Sequence, residues 1–272
     1  MALFRPGMFN NKRVLITGAG RGIGAAIAQY LLDDGAQLFA HLGREPGNPN
    51  WVFPQAGTEC VQVDLSTQAL DAAKNVVCYT CTADLAEEAS AAMVAEHAGA
   101  ALGAIDILVN NAGTMLGRVA TSEMTIEHYH NVTDLNSRSV VMMTTAALPF
   151  LKQAGDASIV NVTSISADTG GSAGSSVYSA AKGFVSTYTR SMATELAADG
   201  IRVNAISPGT IDTDFHQRYS SPEKLLATAA KTPLGRLGTA EDCVPAGLFL
   251  ASNELSGFVT GQIIGINGGT AF

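Results

Sequence analysis

Residues 13–24 read RVLITGAGRGIG, and this stretch decides the fold of the chain. Its first five residues are mostly apolar or β-branched and predict a short strand. Four of the next seven residues are glycines, and helix-forming residues 25–32 follow, up to a stop at Gly35. A backbone without Cβ atoms can turn sharply and approach a pyrophosphate, whose charge is then stabilised by the N–H groups at the helix start. The stretch therefore predicts the opening of a nucleotide-binding βαβ unit.

Beyond this unit, strand-like apolar runs alternate with helical segments. The further core strands are predicted at residues 37–42, 76–80, 105–109, 158–163, 201–206 and 263–266. The run IDILV at 105–109 is almost continuously apolar, which is typical of a parallel sheet buried on both faces. Because no repeat or linker divides the series, we predict one catalytic domain over residues 1–272. Its fold class is α/β, a Rossmann-type doubly wound parallel sheet of about seven strands with helices on both faces.

One segment interrupts this alternation. Residues 45–58 contain three prolines and two glycines around the single tryptophan, Trp51, and predict an irregular insertion that extends over about residues 45–65. Residues 60–64 are interpreted as a short extra strand, and residues 66–75 as a helix with a Ser or Thr cap. The sequence assigns no purpose to this insertion.

Composition and charge exclude several classes of protein. Hydrophobic residues make up 47% of the chain and charged residues 15%, the balance of a compact globule. A net charge of -8 argues against binding to a nucleic-acid backbone, which needs clusters of Lys and Arg. No apolar run approaches the ~18–20 residues that cross a bilayer, and residues 1–12 lack the pattern of a signal peptide. We expect a cytoplasmic protein with a small-molecule substrate and no nucleic-acid or membrane partner.

The four cysteines are Cys60, Cys78, Cys81 and Cys243, too few for a disulfide scaffold in a chain of this length. Cys78 and Cys81 have C-x-x-C spacing, but no second Cys or His pair follows at ligand spacing. On a strand, residues three apart point to opposite faces. We therefore predict buried, unreactive thiols and no metal site.

Tyr178 and Lys182 lie four residues apart in a segment with helical character. On a helix this spacing places the phenol and the ammonium group on the same face. An opposite charge within about 4–6 Å lowers the pKa of a tyrosine by roughly 1–3 units from its ordinary value near ~10. The pair is therefore a candidate for moving a proton to or from an alcohol oxygen, although a half-buried tyrosine beside a solvated lysine has the same spacing.

The end of the second strand bears on the choice of cofactor. Dinucleotide-binding folds commonly place an acidic residue there to hold the ribose 2′-hydroxyl, but this strand ends in HLGR, residues 41–44. Arg44, helped by Arg21 in the glycine-rich turn, is suited to pair with a 2′-phosphate. This favours NADP(H), with NAD(H) as the alternative; a solvated loop position for Arg44 also stays open.

Several separate stretches match one pattern, and over nearly its full length the chain resembles the short-chain dehydrogenase/reductase family. The matching stretches, in chain order, are Thr17-Gly18-x-x-x-Gly22-x-Gly24, Asp84, Asn110-Asn111-Ala112-Gly113, Asn136, Ser164, Tyr178-x-x-x-Lys182 and residues 202–209, RVNAISPG. Each one alone is a weak signal, whereas their joint occurrence in this order is specific. The motifs fall mostly after predicted strands, where α/β sheets bind their ligands.

The resemblance implies a catalytic tetrad of Asn136, Ser164, Tyr178 and Lys182. Tyr178 would exchange a proton with the substrate oxygen while a hydride passes between the nicotinamide and the substrate carbon. Ser164 would hydrogen-bond the same oxygen. Lys182 would hold the nicotinamide ribose and lower the pKa of Tyr178, and Asn136 would hold a water molecule that relays protons. Ser166 is an alternative to Ser164, because the loop that follows is about one residue longer than is common in the family.

The resemblance also implies a set of cofactor contacts. Glycines of the turn would shape the pyrophosphate site, Asp84 would meet the adenine, and Asn111 the ribose region; Thr210 or Thr213 would reach the carboxamide of the nicotinamide. Asp64 is the alternative to Asp84, since the segment before it is longer than usual. The predicted cofactor-binding residues are Gly18, Gly20, Arg21, Gly22, Ile23, Gly24, Arg44, Asp84, Leu85, Asn111, Ala112, Gly113, Tyr178, Lys182, Pro208, Gly209, Thr210 and Thr213.

The substrate is the least determined part of the prediction. Residues 211–236 would cover it, and they include His216, Arg218 and Lys224, which suit an acidic or phosphorylated substrate or form a solvated face. The C-terminal part resembles the 3-oxoacyl-carrier-protein reductase and sugar-alcohol dehydrogenase branches. Small polar side chains at Ser166, Asp168, Thr169, Ser172 and Ser175 favour a small polyol or a hydroxyl-rich carbonyl compound.

We therefore predict an oxidoreductase that transfers a hydride between NADP(H) or NAD(H) and a secondary alcohol or ketone. A 3-oxoacyl-carrier-protein reductase is the alternative enzyme. A non-catalytic nucleotide-sensing protein on the same fold is the alternative from another class, and it would not need the tetrad. The family resemblance implies a homotetramer, with the helices that carry Asn136 and Tyr178 at its centre.

Overall fold

The glycine-rich stretch forms the first strand, turn and helix of a computed structural model that describes residues 5–44, 60–67 and 76–272. Strand β1 spans Arg13–Thr17 and helix α1 spans Gly22–Asp33. Most of the predicted insertion and residues 68–75 of the helix predicted at 66–75 lie outside the described residues. Residues 66 and 67, which are described, form part of a turn rather than a helix.

All strands of the sheet run parallel. They are β1, β2 (Gln37–His41), β3 (Cys60–Gln62), β4 (Cys78–Cys81), β5 (Ile107–Asn110), β6 (Ser158–Val162), β7 (Arg202–Pro208) and β8 (Ile263–Ile266). Their order across the sheet is β3-β4-β2-β1-β5-β6-β7-β8. This confirms the predicted doubly wound α/β fold, and the short strand predicted at 60–64 joins the seven core strands as an eighth at the edge. The order reverses beside β1, so the carboxyl ends of β1 and β5 flank the crevice where such sheets bind ligands.

The helices cover both faces of the sheet. They are α1, α2 (Ser90–Leu102), α3 (Ile126–Thr133), α4 (Ser139–Ala154), α5 (Ser166–Thr169), α6 (Ser176–Glu195), α7 (Asp214–Tyr219), α8 (Pro222–Lys231), α9 (Ala240–Ala251) and α10 (Asn253–Ser256). A π-helical turn, Asp134–Arg138, joins α3 to α4, and 3₁₀ turns lie at Thr121–Glu123 and Ala197–Asp199. In the part of the chain that is described, no helix is both long and apolar enough to cross a membrane.

Strand alternation divides the apolar core in two. On β1, Val14 and Ile16 belong to the cluster under α1 and α9, whereas Leu15 belongs to the cluster under α2 and α4. All three side chains are fully buried. A strand with both faces buried favours apolar residues at successive positions, which is why β1 carries an apolar run rather than an alternating pattern.

The cysteines depart in part from the prediction. Cys78 and Cys81 belong to opposite core clusters, as strand alternation requires. Cys60, however, lies directly opposite Cys78 in the β3–β4 register, and the two form a disulfide. The prediction of unreactive thiols is therefore wrong for this pair, because the pairing of two strands far apart in sequence brings the sulfurs together. Cys81 and Cys243 are buried free thiols, and burial raises the pKa of each to about 12.

Candidate active site

A crevice of about 910 Å³ lies along the carboxyl edge of the sheet. Most of the predicted site residues line it, because the ends of parallel strands meet at one edge. The predicted residues that line it are Gly18, Arg21, Gly22, Ile23, Arg44, Asp84, Leu85, Asn111, Ala112, Gly113, Ser164, Tyr178, Lys182, Pro208, Gly209, Thr210 and Thr213. The predicted residues that do not line the crevice are Gly20, Gly24 and Asn136, and all three are buried.

The glycine-rich turn is held by packing against neighbouring strand ends. Gly18 has a φ of +67°, in the left-handed region that glycine adopts without strain. The side-chain amide of Asn111 donates to the carbonyl oxygens of Thr17 and Gly18, both at 3.0 Å. A Cβ atom on Gly24 would collide with that amide. Asn111 was expected to meet the ribose. Its side-chain NH₂ group bonds the turn, and the residue also lines the crevice.

His41, which the sequence analysis did not select, is the second support of the turn. Its imidazole is 2% exposed. Nδ1 accepts a hydrogen bond from the backbone N–H of Gly18 at 3.2 Å, and Nε2 donates to the carbonyl of Ala83 at 2.9 Å. Burial lowers the pKa of His41, which keeps the ring neutral and leaves Nδ1 able to accept. The only sequence signal was a polar residue at the end of a buried strand.

Arg44 and Asp84 form an ion pair at one end of the crevice. Arg44 Nη1 lies 3.4 Å from Asp84 Oδ2, and the Arg44 side chain is 71% exposed. Asp84 Oδ1 also accepts from the backbone N–H of Ala86 at 3.0 Å. Asp64 is exposed near the outer edge strand and bonds Ser66, so of the two alternatives only Asp84 lines the crevice.

Lys182 is buried, with 3% exposure, on the same helix as Tyr178. Its Nζ donates to the carbonyl of Val162 at 2.8 Å and lies 5.9 Å from the centre of the Tyr178 ring. The helical spacing therefore brings the two groups together as predicted. Because burial disfavours the charged form, it lowers the pKa of Lys182 to about 8.

The predicted lowering of the Tyr178 pKa is wrong for this structure. Burial raises the pKa of Tyr178 to about 12, and the nearby Ser164 hydroxyl acts in the opposite direction without overcoming it. Desolvation exceeds any gain from the ammonium group, which bonds the Val162 carbonyl instead of the phenol oxygen. Tyr178 is therefore a protonated phenol at neutral pH.

Ser164 and Ser166 lie together at the end of β6. Ser166 Oγ donates to Ser164 Oγ at 2.9 Å, and the backbone N–H of Ser166 approaches the same oxygen at 3.2 Å. Ser166 is buried and begins the one-turn helix α5, where a small-residue loop was expected. Ser164 accepts two bonds from Ser166 and keeps its own proton to donate beside Tyr178.

Asn136 lies in the π-helical turn between α3 and α4 and is fully buried. Its Nδ2 donates to the carbonyl oxygens of Thr114 and Val132, both at 2.8 Å. Among the described residues, its Oδ1 has no hydrogen-bond partner. A Cβ atom on Gly113 would lie 2.7 Å from this oxygen and 3.0 Å from Lys182 Nζ, so the glycine keeps open the space between the two groups.

Helices α7 and α8 line the end of the crevice near Tyr178. The ring of Phe215 lies 5.8 Å from that of Tyr178 and 5.2 Å from that of Tyr219. Arg118, a second residue that the sequence analysis missed, reaches this cover from the loop after β5 and donates to the Tyr219 carbonyl at 3.0 Å. Thr213, the N-cap of α7, lies near Gly22, because a Cβ atom added to Gly22 would meet the Thr213 side chain at 3.5 Å.

Two characterised relatives are similar to the chain over almost all of its length. It is 36% identical over 262 residues to cis-4-hydroxycyclohexanecarboxylate dehydrogenase of Sinomonas cyclohexanicum, covering 96% of this chain and 97% of that protein. It is 32% identical over 261 residues to 3-oxoacyl-acyl-carrier-protein reductase of Salmonella typhimurium, covering 96% and 98%. A family model described as enoyl-(acyl carrier protein) reductase matches residues 51–271.

Two solved structures have the same fold with a bound cofactor. The 3-ketoacyl-(acyl-carrier-protein) reductase of Brucella melitensis, complexed with NADH, superposes with a TM-score of 0.81 at 27% identity, covering 97% of this chain and 100% of that one. A blue fluorescent protein from a metagenomic library, in complex with NADPH, gives 0.79 at 30% identity, covering 97% and 99%. The chain therefore belongs to the short-chain dehydrogenase/reductase family, and it is an NAD(P)-dependent oxidoreductase that acts on alcohol or ketone groups.

Proposed function

We propose that this enzyme transfers a hydride between NADP(H) and a secondary alcohol or ketone, with Tyr178 as the proton donor and acceptor. The observation that carries the proposal is the convergence of Tyr178, Ser164 and Lys182 on the crevice that the glycine-rich turn also lines. Residues 1–272 act as one catalytic domain in this proposal. A nucleotide sensor would not need this constellation of side chains.

The residues present fit a dinucleotide. The first turn of α1 carries no acidic side chain, and no side chain caps its N–H groups, so these donors can receive a pyrophosphate. The crevice runs from the Arg44–Asp84 pair at one end to Tyr178 at the other. A bound nicotinamide supplies or accepts the hydride.

The side chains around the substrate oxygen have separate roles in proton transfer and in charge stabilisation. In the reducing direction Tyr178, protonated at neutral pH, donates its proton to the oxygen of the ketone. Ser164 donates a hydrogen bond to the same oxygen and stabilises the charge that develops on it. Lys182 donates one N–H group to Val162 and has two more that can bind the cofactor ribose. In this proposal the Oδ1 atom of Asn136 accepts from a water molecule, which returns a proton to Tyr178.

The preference for NADP(H) rests on Arg44 and Arg21, which line the crevice where a 2′-phosphate would lie. The related structures contain NADH or NADPH, so they do not choose between the cofactors. Asp84 binds Arg44 and lines the same part of the crevice, and a carboxylate that accepts from a ribose hydroxyl would favour NAD(H), which is the alternative.

For the substrate we propose a small, hydroxyl-rich alcohol or carbonyl compound, because serine and threonine side chains line the end of the crevice near Tyr178. The relative from Salmonella typhimurium favours a 3-oxoacyl-carrier-protein substrate as the second candidate. We further propose that the enzyme acts in the cytoplasm as a homotetramer.

Replacing Tyr178 tests the catalytic proposal. In Tyr178→Phe we expect turnover to fall roughly 10²- to 10⁴-fold, because the proton donor is lost. Cofactor affinity, measured by quenching of protein fluorescence, should change little. Tyr30→Phe, on the exposed outer side of α1, is the control and should keep full activity. Unchanged turnover in Tyr178→Phe would refute the assigned role.

A further inference from the structure

Two cations, Arg118 and Lys224, meet at the substrate end of the crevice. Arg118 Nη1 donates to Ser172 Oγ at 2.7 Å, and Lys224 Nζ approaches the same oxygen at 3.3 Å. Both residues line the crevice. Two like charges that share one neutral hydroxyl repel each other unless an anion lies between or beside them.

Among the residues that the structure describes, no carboxylate lies within 4.0 Å of either cation. Arg118 uses Nε and Nη1 on Tyr219, Ser172 and Ala173, and within the described chain its Nη2 has no acceptor. Lys224 makes one side-chain hydrogen bond out of three. Arg118 is half-buried and Lys224 is exposed, so both keep N–H donors from which an anion entering the crevice can accept hydrogen bonds.

His216 lies beside Phe215 on α7, and the positive charges of Arg118 and Lys224 affect its pKa. Burial is the main cause that lowers the pKa of His216 to about 4, and Arg118 and Lys224 lower it further, whereas Asp212 acts in the opposite direction. His216 is therefore neutral at pH 7 and contributes no third charge. Arg118 and Lys224 therefore contribute positive charge at this end, where Arg218 and Asp214 also line the crevice.

The cationic pair is joined to the catalytic side of the crevice. Thr114 donates from its hydroxyl to the Tyr219 phenol at 3.1 Å and accepts from Asn136 through its carbonyl. Arg118 holds the Tyr219 carbonyl, and the apolar face of Phe215 lies between Tyr219 and Tyr178. An anion bound here is thus one aromatic ring away from the phenol that exchanges the proton.

We infer that Arg118 and Lys224 bind an acidic oxygen group of the substrate, a carboxylate or a phosphate, at a point separated by an apolar segment from the carbon that reacts. This inference rests on the proposed function, because it names the substrate class of the same site. Arg118 provides the planar fork that such groups prefer, and Lys224 provides a point charge. Among the alcohols and carbonyl compounds proposed above, the substrate is then one that carries an acidic group, an oxo or hydroxy acid or its phosphorylated counterpart.

Calorimetric titration of the enzyme saturated with NADP or NAD tests the inference without requiring turnover. The probes are cyclohexanecarboxylate, cyclohexyl phosphate and neutral cyclohexanecarboxamide, which share a ring and carry no carbonyl on it to reduce. We expect at least one anion to bind tighter than the amide, roughly 10- to 100-fold, as for hydrogen bonds to a charged group. The tighter of the two anions identifies the acidic group.

Arg118→Ala should remove most of that difference while leaving amide binding unchanged, and Lys224→Ala should remove a smaller part of it. Lys231→Ala, the same charge change on the exposed end of α8, is the matched control. Equal binding of acid and amide by the unmutated enzyme would overturn the inference. So would an Arg118→Ala variant that weakens all three probes equally, since Arg118 would then not be what distinguishes an anion from the amide. If the unmutated enzyme turns over no alcohol or ketone, the proposed function fails. The comparison of acid and amide binding still tests this inference in that case.

Discussion

At the scale of single residues, the burial of Lys182 lowers the free energy of unfolding at neutral pH. Its pKa is lowered from 10.5 to about 8, so the unfolded chain binds the proton more tightly than the folded one. Between pH 8 and pH 10.5 the unfolded state therefore carries more protons, and stability rises with pH across that window. At pH 7 the full cost applies, about 3 kcal/mol. Such a cost is expected where a buried cation is kept for its chemistry.

Lys182→Met should therefore stabilise the cofactor-free protein at pH 7 while abolishing turnover. We expect a gain of about 2 kcal/mol, since the unpaired Val162 carbonyl offsets part of the relief. The measurement is urea unfolding of both proteins at pH 7 and pH 10, where the difference should shrink. A methionine variant less stable than the unmutated protein at pH 7 would show that the Val162 bond outweighs desolvation.

In the proposed function, the preference for NADP(H) depends on Arg44. Its side chain is 71% exposed and its ion pair with Asp84 is long, so it contributes little to folding. Arg44→Ala should weaken NADPH binding roughly tenfold and NADH binding much less, because only NADPH carries the 2′-phosphate. Titration of both reduced cofactors measures this, with exposed Arg190→Ala as the control. Equal affinities in the unmutated protein would contradict the preference for NADP(H).

At the scale of elements, the glycine-rich turn depends on strands that are remote from it in sequence. His41 at the end of β2 links Gly18 to Ala83, which follows β4. A protonated imidazole cannot accept the Gly18 N–H, so the turn should loosen in acid. Because burial lowers the pKa of His41 below its ordinary 6.5, the unfolded chain takes up the proton first, and stability falls as the pH drops below about 6.5.

His41→Asn tests this link. Asparagine offers an acceptor to the Gly18 N–H but does not titrate, so the variant should lack the loss of folding stability that His41 causes as the pH falls below about 6.5. Asp84, the charged group that acts on His41, stays in place in both proteins, so its effect is the same in each. Urea unfolding of both proteins at several pH values is the measurement. Parallel pH profiles for the two proteins would rule out His41 as the sensitive group.

Elements set by local periodicity were predictable from the sequence, and contacts between distant elements were not. The core strands follow from continuous apolar runs, and the Tyr178–Lys182 pairing follows from helical spacing. His41 and Arg118 were missed because their partners lie 42 and 54 residues away. The sign of the Tyr178 pKa shift depends on burial, which spacing does not specify. The pattern of apolar residues likewise did not predict the buried hydrogen bond between β5 and β6, in which Asn110 donates to Asn161 at 2.9 Å.

At the scale of the whole molecule, α3 and α6 carry exposed aromatic side chains on one face. Phe184 is 47% exposed and Tyr129 45% exposed, and both line a shallow groove beside the π-helical turn that carries Asn136. Exposed aromatic side chains grouped in this way are typical of surfaces that bind another protein. The proposed homotetramer would bury this face, and it would thereby fix the helices that position the tetrad residues.

Phe184→Glu should separate the subunits, because a carboxylate buried without a partner at an interface is strongly unfavourable. Light scattering coupled to size exclusion should show a smaller particle than the unmutated protein gives. Turnover should fall with assembly, since the π-helical turn and α6 would lose their external support. Tyr30→Glu, on the exposed side of α1, introduces the same charge away from this face and should leave the assembly intact. A Phe184→Glu protein of unchanged mass would exclude α6 from the subunit interface, even if the enzyme is oligomeric.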